Sequence, residues 1–274
     1  MAKLSVIMAT YKENPQFLKT CIESILNQTF RDFEFIIVVE PGETNLDYLK
    51  EMSGTDGRIK ILQNVLRLGV AGSRNRAIEE SSGEYIALAD GDDYYDLRRF
   101  EKQLEFFRNN FNISVVGSNI YLVNNYDNIV GRRMYPKESD DIKRGFLFEM
   151  AIANPSIMVR KKDFDEIGFF NDKLFKAEDF DLWLRFLAKN KKMYNLQDNL
   201  IYYRTQPNDN IKRGRTHYKN YFNILKTHSR LIWPFYQRII SLLIFCIVSK
   251  IPNFLLDYLV NLKIVKKIKN IRSC

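Results

Sequence analysis

The sequence predicts an α/β fold with a mostly parallel central sheet and helices on both faces. Three observations carry this. Short, apolar, β-branched runs recur along the first three quarters of the chain, each is followed by a stretch of helical periodicity, and clusters of Asn, Asp, Gly and Pro separate the two kinds of segment. In such sheets ligands bind at the carboxyl ends of the strands, where one run here ends in a knot of acids, "EYIALADGDDYYD" (84–96).

The elements follow in order. "LSVIMA" (4–9) suits a buried strand, and Asn14-Pro15 supplies an N-cap followed by proline in the first turn of a helix. Leu18, Cys21, Ile22, Ile25 and Leu26 then fall at helical spacing. "FEFIIVV" (33–39) and "IKILQN" (59–64) are the second and third strands, a helix covers "GSRNRAIEES", and "EYIALAD" (84–90) is the fourth strand.

Composition narrows the class. The 274 residues are 46% hydrophobic and 27% charged, as in a globular protein with a sizeable core. The net charge of +9 is unevenly spread: residues 206–274 hold thirteen Lys or Arg against two acids, so the body before them is slightly acidic. Nucleic-acid binding would need a basic face on a reader fold, and none is recognisable. Three scattered cysteines argue against a disulfide framework and a zinc site and fit a reducing compartment. The N-terminal residues lack a signal-peptide layout, which predicts a protein of the cytosol.

Two acidic constellations carry chemistry. Asp90 and Asp92 stand two apart at a strand's end, so extended geometry would aim both one way and Asp93 the other. Converging carboxylates repel unless a cation lies between them, and Mg²⁺ takes one or two carboxylates plus a substrate's phosphates. An acidic turn in water is the plainer alternative. In "KAEDFDLWLRFLAKN" (176–190), Phe180, Trp183, Leu184 and Leu187 form a helical stripe that puts Glu178 and Asp179 at the helix start. There they serve either as first-turn acids favoured by the helix dipole or as a general base beside a reacting hydroxyl.

Taken together, "SVIMATYKEN", "SILNQTFRDFEFIIV", "LGVAGSRNRAIEESSGEYIALADGDD", "NPSIMVRKKDFDEIGFF" and "AEDFDLWLR" resemble the inverting family 2 glycosyltransferases of the GT-A fold, over roughly residues 3 to 205. The resemblance implies a Rossmann-like sheet and a nucleotide-sugar donor whose diphosphate is held by Mn²⁺ or Mg²⁺. It implies that Asp92 coordinates the metal, with Asp90 close to the ribose or to the metal and its waters. Thr10 and Tyr11 match the loop under the base and ribose, Glu13 joins the nucleotide-binding set, and Arg74 and Asn75 match the segment packed beside the nucleotide. Asp179 matches the catalytic base, with Glu178 its neighbour at the acceptor hydroxyl.

The chain also departs from that pattern. Ala9 replaces a usual proline, and Val39-Glu40 stands where the family shows two acids, the first of which reads uracil. Glu40 is therefore the candidate for base recognition, with UDP expected first and dTDP second. No Q-x-x-R-W motif is present, which favours one sugar per encounter over processive synthesis. Asn154, Pro155 and Ser156 are candidates to lie near the donor sugar, or form a plain loop before a strand. Lys212, Arg213 and Arg215 either close over the diphosphate or form a solvated basic loop, and His217 and His228 read as structural or exposed.

The last segment divides the chain as 1–96 (nucleotide-sugar half), 97–205 (acceptor half) and 206–274 (basic, apolar helical tail). "IISLLIFCIV" (239–248) is apolar all round but ten residues long, short of the ~20 that span a bilayer. Farther on, Ile264, Val265, Ile268 and Ile271 oppose Lys263, Lys266 and Lys267 on a helical wheel. Such a helix suits an anionic membrane surface, with packing on the body or on a second subunit as the alternative. The resulting expectation is a metal-dependent hexosyltransferase, peripheral on the cytosolic face of a bacterial-type inner membrane, extending a lipid-linked saccharide for O-antigen or capsule. A nucleotidyltransferase, or a membrane-associated nucleotide-sugar-binding protein without turnover, is the competing reading.

Overall fold

The computed structural model describes residues 3–174, 176–205 and 214–251. The chain opens with β1 (Leu4–Thr10), α1 (Pro15–Leu26), β2 (Phe33–Val39), α2 (Leu46–Thr55), β3 (Ile59–Gln63), α3 (Gly69–Glu79) and β4 (Tyr85–Asp90). It continues through β5 (Tyr94–Tyr95), α4 (Arg99–Asn109), β6 (Ile113–Val123), β7 (Ile129–Arg133), α5 (Ser139–Gly145), a 3₁₀ turn (Asn154–Ser156), β8 (Met158–Arg160) and α6 (Asp163–Ile167). Last come α7 (Glu178–Ala188), β9 (Lys192–Arg204), α8 (Gly214–Ile232) and α9 (Phe235–Lys250).

Among the described residues one sheet runs β3-β2-β1-β4-β8-β6-β9-β5, with β7 beside β6. Its first four strands are parallel. Beyond β4 the pairing is mixed: β8 is antiparallel to β4 and to β6, β9 is parallel to β6, and β5 is antiparallel to β9. The chain moves outward from β1 through β2 to β3 and then returns to lay β4 on the other side of β1. A crevice therefore opens at the carboxyl ends of β1 and β4, the switch point at which parallel sheets bind ligands. Ala9 sits opposite Asp90 there.

Alternation along the strands divides the core in two. Ile7, Ile36, Val38, Ile86 and Leu88 face α3, α5, α7 and α8, whereas Val6, Met8, Phe35, Ile37, Ala87 and Ala89 face α1, α2 and α4. The five apolar positions expected on α1 are its buried residues, and Asn14 caps it by accepting from the Gln16 amide at 2.9 Å.

Helix α8 packs against the body. Tyr221, Ile224, Leu225, Ile232 and Trp233 enter the core, and the Trp233 indole donates to the Lys143 carbonyl at 3.1 Å. On α9, Ser241 and Phe245 are buried and the Ser241 hydroxyl donates to the Leu147 carbonyl at 2.6 Å. The packing alternative thus holds for the inner face of this pair. The outer face exposes Leu231, Phe235, Tyr236, Ile240, Leu243, Ile244 and Ile247. No helix among the described residues is long and apolar enough to cross a membrane. The basic residues Lys212 and Arg213 and the helical stretch expected within 252–274 lie outside the described residues.

Gly83, ahead of β4, lies so close to β1 that an added Cβ would sit 2.5 Å from the Ser5 backbone nitrogen. Gly83→Ala is expected to lower unfolding stability in urea by about 1–3 kcal/mol, because backbone cannot yield as a flexible side chain does. An unchanged midpoint would contradict this close approach.

Candidate active site

Strand β4 delivers Asp90 to the sheet's edge, and its chain then turns, the Asp93 amide donating to the Asp90 carbonyl at 3.2 Å. Extended geometry stops at Asp90, yet the division of the acids is the one the sequence suggests. Asp92 is exposed, whereas Asp93 is buried and accepts from the Arg204 amide at 2.9 Å. Burial, with the charges of Asp92 and Asp90 added, pushes the Asp93 carboxyl well above the usual range.

The turn is held from behind. Arg204, at the end of β9, donates from Nε to the Asp92 carbonyl at 3.0 Å and from its terminal nitrogens to the Asn124 carbonyl and to the Asp127 carboxylate, and it stacks on Phe17. Tyr95 donates its hydroxyl to the Asp90 carbonyl and accepts from the Asp90 amide at 2.8 Å. Nothing local in the sequence marks Arg204 for this task, because its partners lie across the sheet.

One buried guanidinium joins the two acidic constellations. Arg74 donates to Asp90 Oδ1 at 2.6 Å and to Glu178 Oε1 at 3.4 Å, and lies over the Phe170 ring. Although burial opposes its charge, the carboxylates of Asp90, Glu178 and Asp179 hold its pKa above the ordinary value. Asp179, beside it, is raised to about 7, first by desolvation and then by the Glu178 charge. A carboxyl in that range exchanges protons near neutral pH, as a general base must.

The loop after β1 forms the facing wall. Thr10 is buried and its hydroxyl has no hydrogen-bond partner. Tyr11 is half-buried, with the Arg67 guanidinium 4.4 Å from its ring centroid, a neighbour the sequence reading missed. Glu13 is raised to about 7 by burial, then by the charges of Asp92, Asp90 and Glu43.

Several expected ligand contacts are engaged elsewhere. Glu40 is buried and accepts from the Ser73 hydroxyl at 2.6 Å, from the Asn64 amide and from the Leu68 backbone, so its carboxylate ties the β3–α3 loop to the end of β2. The Asn75 amide exchanges two hydrogen bonds with the Phe170 backbone, at 2.8 and 2.9 Å. Asn154 accepts from the Trp183 indole at 3.2 Å, and buried Ser156 accepts from the Ser118 amide, the plain-loop alternative in its case. His228 pairs with Asp181, Nε2 to Oδ1 at 3.0 Å, a structural placement.

Among the described residues no three His, Cys, Asp or Glu side chains converge as a preformed metal cage. The donor set still fits a hard divalent cation that shares its shell with phosphates, for which one or two carboxylates suffice. Asp92 faces solvent, Asp90 stands at the same mouth, and the raised Glu13 reports negative charge that a cation would offset.

The family model described as Glycosyl transferase family 2 matches residues 5–168. An uncharacterized glycosyltransferase of Methanocaldococcus jannaschii is 33% identical over 272 residues, 95% of this chain and 93% of that one. The O-antigen biosynthesis glycosyltransferase WbnJ of Escherichia coli is 32% identical, over 79% of this chain and 85% of its own. Another relative, the Escherichia coli UDP-Glc:alpha-D-GlcNAc-diphosphoundecaprenol beta-1,3-glucosyltransferase WfaP, is 29% identical over 90% of this chain and 96% of its own. Among solved structures, S. aureus TarS is similar in fold at 18% identity: the match covers 89% of this chain and 43% of the TarS chain, with a TM-score of 0.65. A shorter form of TarS in complex with UDP-GlcNAc gives 0.67, covering 89% of this chain and 71% of that one. The chain belongs to glycosyltransferase family 2 and has the GT-A fold.

Arg74→Met leaves Asp90, Glu178 and Asp179 facing one another without their cation. A loss of roughly 3 kcal/mol in urea unfolding is expected, since removing one member of a buried ion pair strands the other. A variant as stable as the parent would show that solvent already neutralises these acids.

Proposed function

We propose that the protein transfers one sugar from a UDP-sugar to a saccharide acceptor on a lipid carrier, with inversion at the anomeric carbon. The observation that carries this is the pairing, across Arg74, of an acidic turn that exposes Asp92 with a carboxyl raised to about 7 at the start of α7. Relatives whose names specify UDP-glucose and diphosphoundecaprenol-linked acceptors support the donor and acceptor classes. UDP stands first and dTDP second, and the absence of Q-x-x-R-W from the sequence supports a single transfer per encounter.

Each residue has a part in this reading. Tyr11, flanked by Arg67, offers a ring face to the base, and the buried Glu40 network fixes the loop behind it. Asp92, with Asp90 beside it, would hold Mn²⁺ or Mg²⁺, which supplies Lewis-acid neutralisation of the leaving diphosphate. Asp179 takes the proton of the acceptor hydroxyl as its oxygen attacks the anomeric carbon and the bond to the diphosphate breaks. Attack from the face opposite the leaving group turns an α-linked donor into a β-linked product. Arg74 keeps Glu178 from adding its full charge to that of Asp179.

The exposed row on α9, flanked by Arg238 and Lys250, supports a peripheral position on an anionic membrane surface. The cytosolic face of an inner membrane is where nucleotide sugars and lipid-linked acceptors would meet, and a surface glycan such as O-antigen or capsule is the expected product class.

Asp179→Asn is expected to lower transfer about 10²–10⁴-fold with UDP affinity nearly unchanged, whereas Asp92→Ala weakens Mn²⁺-dependent UDP binding. Because the base acts only when ionised, kcat/KM of the parent should rise as pH passes upward through about 7. Equal loss of nucleotide affinity in both variants would defeat the division of roles. Leu243→Asp with Ile247→Asp is expected to weaken the affinity for phosphatidylglycerol vesicles, read by sedimentation, about a hundredfold or more, each change removing one buried apolar side chain from the lipid contact; unchanged sedimentation excludes this face.

A further inference from the structure

Two consecutive residues with side chains, Lys176 and Ala177, adopt the left-handed backbone conformation immediately before Glu178, with φ of 68° and 69°. Neither is glycine, and L-residues hold this conformation only where their surroundings impose it. Ala177 is buried, and its carbonyl accepts from the Asp181 amide at 3.1 Å, so the turn runs straight into the first turn of α7. The direction in which Glu178 and Asp179 point depends on this turn.

Helix α8 meets the turn at three successive points. Asn220 donates from Nδ2 to the Lys176 carbonyl at 3.1 Å. The Tyr221 ring stacks on Phe180, the residue after the base, with centroids 3.9 Å apart and planes 6° from parallel. One helical stretch on, His228 meets the Asp181 carboxylate at 3.0 Å. Asp181 also accepts from Arg185 Nε at 2.9 Å, and that guanidinium donates to the carbonyls of Ile167, Gly168 and Phe169. Residues 221, 224, 225 and 228 share the inner face of α8, and Ile224 and Leu225 are buried between the contacts.

We infer that α8 is a strut that holds the left-handed turn in place, and that Asn220 and Tyr221 are positioning residues for transfer. They act in this reading through the backbone on either side of the base. A carboxylate displaced by about 1 Å from its productive position loses most of its catalytic effect. The inference rests on the reading of Asp179 as base, and it assigns α8 a part in the chemistry apart from any membrane contact of α9.

The test uses the full chain as Asn220→Ala/Tyr221→Leu, as Tyr221→Phe, and as Asp179→Asn for reference. Three quantities are read: exchange of the amides of 176–181, UDP affinity with Mn²⁺ by calorimetry, and kcat for transfer from UDP-glucose to a GlcNAc-diphospholipid. The double variant should exchange these amides about tenfold faster. Its kcat should fall about tenfold or more while UDP affinity holds, and Tyr221→Phe, which keeps the stacked ring, should restore parental values. Unchanged exchange in the double variant overturns the strut whatever the transfer assay reads. Faster exchange with full kcat overturns the positioning role while the base reading stands, provided that Asp179→Asn is inactive. Full transfer by Asp179→Asn instead removes the base reading on which the inference rests.

Discussion

The ion bridge through Arg74 is the interaction around which the site is built. Strand β4 and helix α7 are far apart in the chain, and each brings acids to the same crevice. Without a buried cation between Asp90 and Glu178 the two could not approach, and the crevice would open or fill with water. The guanidinium suits this task because its planar fork serves two carboxylates at once and cannot be deprotonated. Placing it on α3 requires that helix to lie against β1 and β2. The Ala71, Ala77 and Ile78 side chains in the core achieve this.

Compensation by Arg74 is incomplete, and the remainder is informative. Asp93 is turned away into the core, where it accepts from the Arg204 amide and burial raises its carboxyl well above the usual range. Glu13, near the Asp90–Asp92 turn, and Asp179, next to Glu178, are each raised to about 7. In the proposed reading, the negative charge left beside Asp92 is where a cation with phosphates would bind, and the charge left beside Glu178 is what would make Asp179 a base. One arrangement of acids thus supports both halves of a transfer reaction, electrophile and nucleophile.

Much of this was legible in the sequence, for local reasons. Asn14-Pro15 and the apolar spacing after it define α1, and strand β2 has the bounds that its run of apolar residues indicates. The position of Asp90 at a strand's end follows from the alternation of strands and helices. Other features depended on partners far away in the chain. Glu40 turns inward because Asn64, Leu68 and Ser73 offer it donors, and Asn75 turns to Phe170, neither of which any local pattern announces. The left-handed pair before Glu178 carries no glycine signal. The sequence marked 206–274 as a helical tail and 239–248 as apolar on every face, but it read the stretch that begins α8 as a basic loop and could not say which face would meet the body. Ring stacking at Tyr221 and the exposed row on α9 make that division.

Central to the proposed transfer is that the acidic turn at β4 receives a nucleotide diphosphate together with a divalent cation. Calorimetric titration of the unmodified protein with UDP, dTDP and GDP, each with and without Mn²⁺, addresses it directly. Binding of UDP that appears only with Mn²⁺ is the predicted result. No binding of any of the three, or equal binding with and without the metal, would contradict it and leave the turn an acidic loop held by Arg74 and Arg204 for structural reasons alone.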